Sequence, residues 1–237
     1  MLKGLIKYHF ILLIKDPTLI IFGLAFPFVQ LFLMRGSGDD AYLNLFDLGM
    51  VLFMLIAVVA LCWGAGYNHV HSREIKFLRR LRMSPLKPAH YLVSGILLNV
   101  GILLIFTAVL VIVAVAIFDI DAASKNWPLI ITSLLLAFTM FYVMGMFTAN
   151  ALKKAKNSQS LLYTVFISMI VIVNLFAMEN LPNFVHVIIR NTPITYAANT
   201  LHSAWMGTNL FYGHDFIAMV ACTIVFGLLS VKVFKYE

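Results

Sequence analysis

The sequence predicts an all-α polytopic membrane protein, and three observations carry that prediction. Hydrophobic residues make up 62% of the chain and charged residues 11%, against about a quarter charged in ordinary soluble domains. Apolar runs recur along the whole length, six of them long enough to cross a hydrocarbon core of ~30 Å, which takes ~17–25 helical residues. Basic residues collect in alternate loops between the runs, the asymmetry that orients multispan chains. Once six spans are counted, the 237 residues leave no room for a sizeable soluble domain, so 1–237 reads as a single transmembrane domain.

The elements follow in order. Residues 1–16 carry Lys3 and Lys7 one helical turn apart amid Leu and Ile, and Asp16-Pro17 ends the run. This predicts an interfacial helix whose lysines reach the headgroups. Met1–Phe10 has no small-residue cleavage site after its apolar run and reads as mature sequence. The predicted spans are 17–34, 48–67, 91–118, 127–150, 161–178 and 216–233. Between the fifth and sixth, Pro182, Asn183, Asn191, Pro193 and Asn199 cut a mostly apolar stretch into pieces too short to span. The expectation is an outer hairpin over 180–207, with short helices near Phe184–Arg190 and Ile194–Met206 that enter the membrane from one side and turn back. Such broken backbone is tolerable where it packs against protein or faces water.

Charge sets the expected orientation. With both termini in the cytoplasm, the inner segments hold all of the 17 basic residues except Arg35, Lys125 and Arg190, together with the acids Asp16, Glu74 and Glu237. The outer segments then hold Asp39, Asp40, Asp47, Asp119, Asp121, Glu179 and Asp215. A net charge of +7 distributed this way is a topology signal rather than a nucleic-acid footprint.

The densest basic stretch is NHVHSREIKFLRRLRMSPLKP, Asn68 to Pro88. At 100° per residue, Phe77, Leu81, Leu78 and Ile75 share one side, and Arg73, Lys76, Arg79 and Arg80 fill the opposite arc. Ser84-Pro85 ends this helix, predicted over 70–84, and Pro88 delays the next until about Tyr91. Three readings stand side by side: a solvated loop that fixes topology, a patch for anionic lipid headgroups at ~1 kcal/mol per basic residue, and a docking helix for a cytoplasmic partner.

The chemistry that is missing narrows the function. The six apolar cores contain no Asp, Glu, Lys or Arg, whereas ion-coupled carriers need an intramembrane ionisable group. No HExxH, GxSxG or GxxxxGK[ST] motif occurs. Cys62 and Cys222 both lie within spans and form no framework. His69 and His71 make an HxH pair without a third ligand nearby, so neither a metal site nor a catalytic residue is expected. If the chain moves a cargo, its energy arrives from outside, and the docking reading of 68–88 gains weight.

Three blocks resemble the permease subunit of an ATP-binding-cassette type-2 (ABC-2) exporter, in order and across nearly the whole chain. KYHFILLIKDPTLIIFGLAFPF (Lys7–Phe28) resembles the family's amphipathic connecting helix, (R/K)-D-P step and first span. SREIKFLRRLRMSPLKPAHYLVSGIL (Ser72–Leu97) is similar to its E-R-E-x-G-T-L-E-R-L-x-x-(T/S)-P pattern, with Lys76-Phe77 in place of Gly-Thr and Arg79 in place of an acid. ENLPNFVHVIIRNTPITYAANTLHSAWMG (Glu179–Gly207) resembles its outer hairpin, with Leu181-Pro182, Asn191-Thr192-Pro193 and Tyr196 on the pattern and His202 where arginine is common.

The resemblance implies a half-transporter without its own ATPase site. ATP and Mg would belong to a separate cytoplasmic ATPase, present in two copies beside two permeases, either identical or homologous, in the cell membrane. The coupling helix would engage that ATPase through Arg73, Glu74, Lys76, Leu78, Arg80 and Leu81. The outer hairpin would turn on Pro182, Asn191, Pro193 and Tyr196. A pathway between two copies would be lined by the second and fifth spans, including Met54, Trp63, Thr164, Ser168 and Asn174. Helix packing through Ser160, Thr164 and Ser168 is the competing reading of that stripe. Adaptable methionines and apolar walls suit a lipophilic or amphipathic cargo such as a drug, an antimicrobial peptide or a lipid-like molecule. The alternative is a non-transporting scaffold that recruits a partner through the basic helix.

Overall fold

The computed structural model describes residues 5–6, 8–11, 25, 27–29, 56–57, 59–60, 68–78, 88–118, 125–151, 160–162, 164–168, 171–172, 182–207 and 213–234. Six helices have defined limits: α1 (Val70–Glu74), α2 (Pro88–Phe118), α3 (Trp127–Ala151), α4 (Asn183–Arg190), α5 (Pro193–Trp205) and α6 (His214–Lys232). No strand occurs among the described residues. Three helices are long and apolar enough to cross a membrane: Ala89–Ala116, Trp127–Asn150 and His214–Lys232. The expected spans 17–34 and 48–67 lie largely, and 161–178 half, outside the described residues; those of their residues that are described are helical.

Local sequence explains several of these limits. Pro88 does not delay α2 as expected but opens it, since a proline at the first helical position lacks only an N–H that would be unpaired anyway and has its φ already set. α2 therefore starts three residues before the predicted Tyr91. The hairpin breaks at Asn191-Thr192, where Thr192 caps α5: its hydroxyl accepts from the Thr195 N–H at 3.4 Å, with Pro193 in the first turn. The Thr195 hydroxyl reaches back to the Ile189 carbonyl at 2.6 Å, and the Asn191 amide donates to the Val187 carbonyl at 2.8 Å. The last turn of α4 is thereby stitched to the first turn of α5, which satisfies carbonyls that a helix end leaves free.

α3 is the central helix. Most of its length is buried, whereas α2 and α6 show mostly outward-facing side chains. It packs most extensively against α6 and along α5, and far less against α2. Outward faces such as Leu97, Ile105 and Ile112 on α2 and Ile217, Ile224 and Leu228 on α6 are apolar, the composition expected of surfaces that meet lipid tails. Where α2 does approach α3, Gly95 makes room: a Cβ there would overlap the hydroxyl of the buried Tyr142.

Gly95→Ala should therefore destabilise the protein by ~1–3 kcal/mol, the usual cost of overpacking a tight contact. Removing the obstructing hydroxyl with Tyr142→Phe in the Gly95→Ala background should restore part of that loss. Thermal unfolding of the detergent-solubilised single and double variants tests both expectations.

Candidate functional site

The basic segment does not form one continuous rod. α1 ends at Glu74, Ile75 closes it, and Lys76 adopts a left-handed backbone with φ of 58°. The Ile75 N–H bonds the His71 carbonyl and the Lys76 N–H bonds the Arg73 carbonyl, each at 3.0 Å. A left-handed residue at a helix C-terminus is the ordinary way to satisfy its last carbonyls, and glycine takes it most cheaply. In the family pattern glycine stands at the position of Lys76. That departure was the one sequence signal for the break, and it was masked because lysine is a good helix former.

The break at Lys76 interrupts the helical step, so among the described residues the side chains do not follow the predicted two-sided wheel. Arg73, placed by the wheel on the polar arc, is buried, as is Leu78, while Ile75, placed on the apolar side, is exposed at 45%. Glu74 and Lys76 are exposed. Among the described residues of 68–78, the exposed side chains are the three consecutive ones Glu74, Ile75 and Lys76. Arg80 and Leu81 lie outside the described residues.

What holds the segment is a polar and aromatic junction of four elements. Arg73 donates from Nη1 to the Ala149 carbonyl at 2.7 Å, in the last turn of α3, where carbonyls lack intrahelical partners and a cation meets the negative end of the helix dipole. His69 meets the side chain of Asn150 at 3.2 Å, and the Asn150 amide donates to the Met146 carbonyl at 2.7 Å. That second bond fixes the amide orientation. The Asn150 oxygen is left to accept, so His69 carries its proton on Nε2. Ser72 is a complete node: its hydroxyl donates to the Asn68 carbonyl, so its lone pairs receive Tyr91 at 3.3 Å and Tyr8 at 3.0 Å. Tyr8 also stacks on Phe77, with ring centroids 3.9 Å apart and planes at 9°.

Inside the junction lie two histidines. His9 is fully buried, and among the described residues neither of its ring nitrogens has a hydrogen-bond partner, nor does Nδ1 of His69. Tyr91 lies 5.0 Å from the His9 ring and 5.7 Å from the His69 ring, and Phe234 lies 5.5 Å from His69. Burial holds both imidazoles neutral, pushing His9 from 6.5 down to about 4 and His69 down to about 3. For His69 the Asn150 bond opposes this shift, while the Arg73 and His9 charges add to it. Burial likewise raises the Tyr8 phenol and lowers the Arg73 guanidinium.

Sequence reasoning missed Tyr8, His9, His69, Tyr91 and Asn150 as members of one site. Each looks like an isolated polar residue at the end of an apolar run, and nothing in periodicity joins residues 64 or 81 positions apart.

The other predicted residues distribute as follows. Thr164 and Ser168 are exposed, and each hydroxyl donates one turn back along its own helix, to the carbonyls of Ser160 at 3.0 Å and Thr164 at 2.8 Å. Met54, Trp63 and Asn174 lie outside the described residues. In the hairpin, Pro182 immediately precedes α4, and the Tyr196 hydroxyl donates to the Asn191 side chain at 3.5 Å. Asn199 donates to Asp215 at 3.0 Å, tying α5 to the start of α6.

The junction carries a pH signature. A histidine whose folded pKa lies below its unfolded value stabilises the fold fully above pH 6.5, and that contribution is lost as pH falls from 6.5 toward 4. For His9 this amounts to about 3 kcal/mol across the window. His9→Phe should therefore show a smaller drop in melting temperature than the unaltered protein between pH 6.5 and pH 4, measured in detergent at both pH values.

Comparison with known proteins agrees with the resemblance read from the three blocks. No curated protein matches the chain. A family model described as "ABC-2 family transporter protein" matches residues 17–232, which takes in the 68–78 segment and all six helices. Members of this family are permease components that work with an ABC ATPase and typically lack an ATPase site of their own. The chain belongs to the ABC-2 transporter family, as a transmembrane component of an ABC transporter.

Proposed function

We propose that this chain is the permease of an ATP-driven exporter and that the power enters through the turn at Glu74–Lys76. One observation carries the reading: on a segment whose neighbouring side chains are drawn inward, an acid, an apolar residue and a base stand out in sequence at its tip. Such a knob suits a groove on a protein partner better than a lipid surface, which would call for uniformly basic side chains. Arg73 and Leu78, expected to touch the partner, act in this reading as the anchors that hold the knob. Arg80 and Leu81 extend the contact.

The remainder of the reading follows from family membership and charge. Two ATPase subunits hold ATP and Mg, and two permeases, identical or homologous, enclose the pathway. Both termini face the cytoplasm of a cell whose plasma membrane the chain crosses. Thr164 and Ser168 face outward on a helical segment, where a second copy can meet them, and the cargo is lipophilic or amphipathic. A passive scaffold would have no use for a knob braced this firmly against the central helix.

Combined charge reversal, Glu74→Lys with Lys76→Glu, should weaken binding of the co-purifying ABC ATPase about tenfold, or ~1.4 kcal/mol, and lower its stimulated ATP hydrolysis. Arg190→Glu, at the exposed end of α4, should change neither. Unaltered binding in the first variant would sink the docking assignment. Because the hydroxyls of Thr164 and Ser168 bond their own helix, Thr164→Val with Ser168→Ala should leave stability within about 0.5 kcal/mol. The same pair should alter export of a lipophilic dye from reconstituted vesicles.

A further inference from the structure

The two ends of α3 are gripped by different parts of the molecule. At one end, Arg73 and His69 hold Ala149 and Asn150. At the other, Trp127 meets the buried Trp205 of α5 edge-on, with centroids 6.5 Å apart and planes at 87°, and the Lys125 ammonium lies 5.3 Å over the Trp205 ring. We propose that α3 is the rod that carries movement of the 68–78 segment to the outer hairpin, with Arg73 and Asn150 as positioning residues at its driven end and Trp205 as its seat at the other. This rests on the docking reading above and goes beyond it, because it says where the motion travels after the ATPase has delivered it.

Three features suit α3 to the task. Its 25 residues rise ~37 Å at 1.5 Å each, enough to join one membrane face to the other. Its sole proline, Pro128, lies in the first turn, so no proline hinge interrupts the shaft. Its grip on the segment is stiff, because a buried guanidinium cannot leave its acceptor without a large desolvation cost; displacement of Arg73 must drag the α3 terminus along. At the far end, α5 packs along α3 and is stitched to α4 through Thr195 and Ile189, so the whole hairpin follows. α2 is joined more directly to the segment by the chain, yet it packs far less against α3 than α5 and α6 do.

Coupling between distant sites is demonstrated by showing that one responds to the other. The experiment is amide hydrogen exchange on the full permease–ATPase complex in nanodiscs, with and without a non-hydrolysable ATP analogue. In the unaltered complex, nucleotide should change exchange both in 68–78 and in 183–205. Asn150→Leu and Trp205→Phe should keep ATPase binding and the response of 68–78 while reducing the hairpin response at least severalfold. Arg73→Lys, which retains a charged donor for the Ala149 carbonyl, should restore much of the response that Arg73→Gln removes. Exchange within residues 130–145 reports whether each variant is folded. If folded Asn150→Leu and Trp205→Phe complexes pass the nucleotide signal to the hairpin as the unaltered complex does, the rod assignment is overturned while the docking reading survives. Failure of the unaltered permease to bind an ABC ATPase overturns both.

Discussion

A guanidinium taken out of water needs an acceptor, and that requirement organises the junction around the 68–78 segment. Arg73 finds its acceptor in the Ala149 carbonyl, at the end of a helix where unpaired carbonyls and the helix dipole both favour a cation. Once this bond is made, the segment that bears Arg73 can no longer lie along a membrane surface as an independent amphipathic helix. It is pinned to the central helix, and the chain turns outward only over Glu74–Lys76, with Lys76 left-handed, before Phe77 and Leu78 pack inward again.

The surrounding junction is economical in its hydrogen bonding and then abruptly incomplete. Ser72 uses its donor and both lone pairs, and Asn150 connects a histidine to its own helix. Beside them, His9 is buried and neither of its nitrogens finds a hydrogen-bond partner among the described residues. Buried polar groups without partners are costly, and in a low-dielectric surrounding the cost falls hardest on the charged form. Protonating either imidazole therefore costs stability, which links the junction to pH through His9 and His69.

The α4–α5 hairpin is built by a different logic. Its bonds are local, made by Thr192, Thr195, Asn191 and Tyr196 to groups within a few positions. It is attached to the rest through aromatic and amide contacts, Trp205 with Trp127 and Asn199 with Asp215. The unit is internally stitched and seated against both α3 and α6. The junction around 68–78, by contrast, draws on residues from both ends of the chain, from Tyr8 to Phe234.

The sequence by itself determined the membrane class, the helical content and the proline- and asparagine-marked break between α4 and α5. These properties depend on apolar run length and on residues whose backbone preferences act over a few positions. It also carried the family resemblance, because the three blocks preserve order and spacing. Only the tertiary structure decided which way Arg73, Ile75 and Leu78 face. A helical wheel assumes an unbroken 100° step, and the step fails at Lys76, where a residue of good helical propensity is held left-handed by the bonds that close α1. The grouping of Tyr8, His9, His69, Ser72, Tyr91 and Asn150 was likewise settled by packing, since their mutual contacts span separations that no local periodicity encodes.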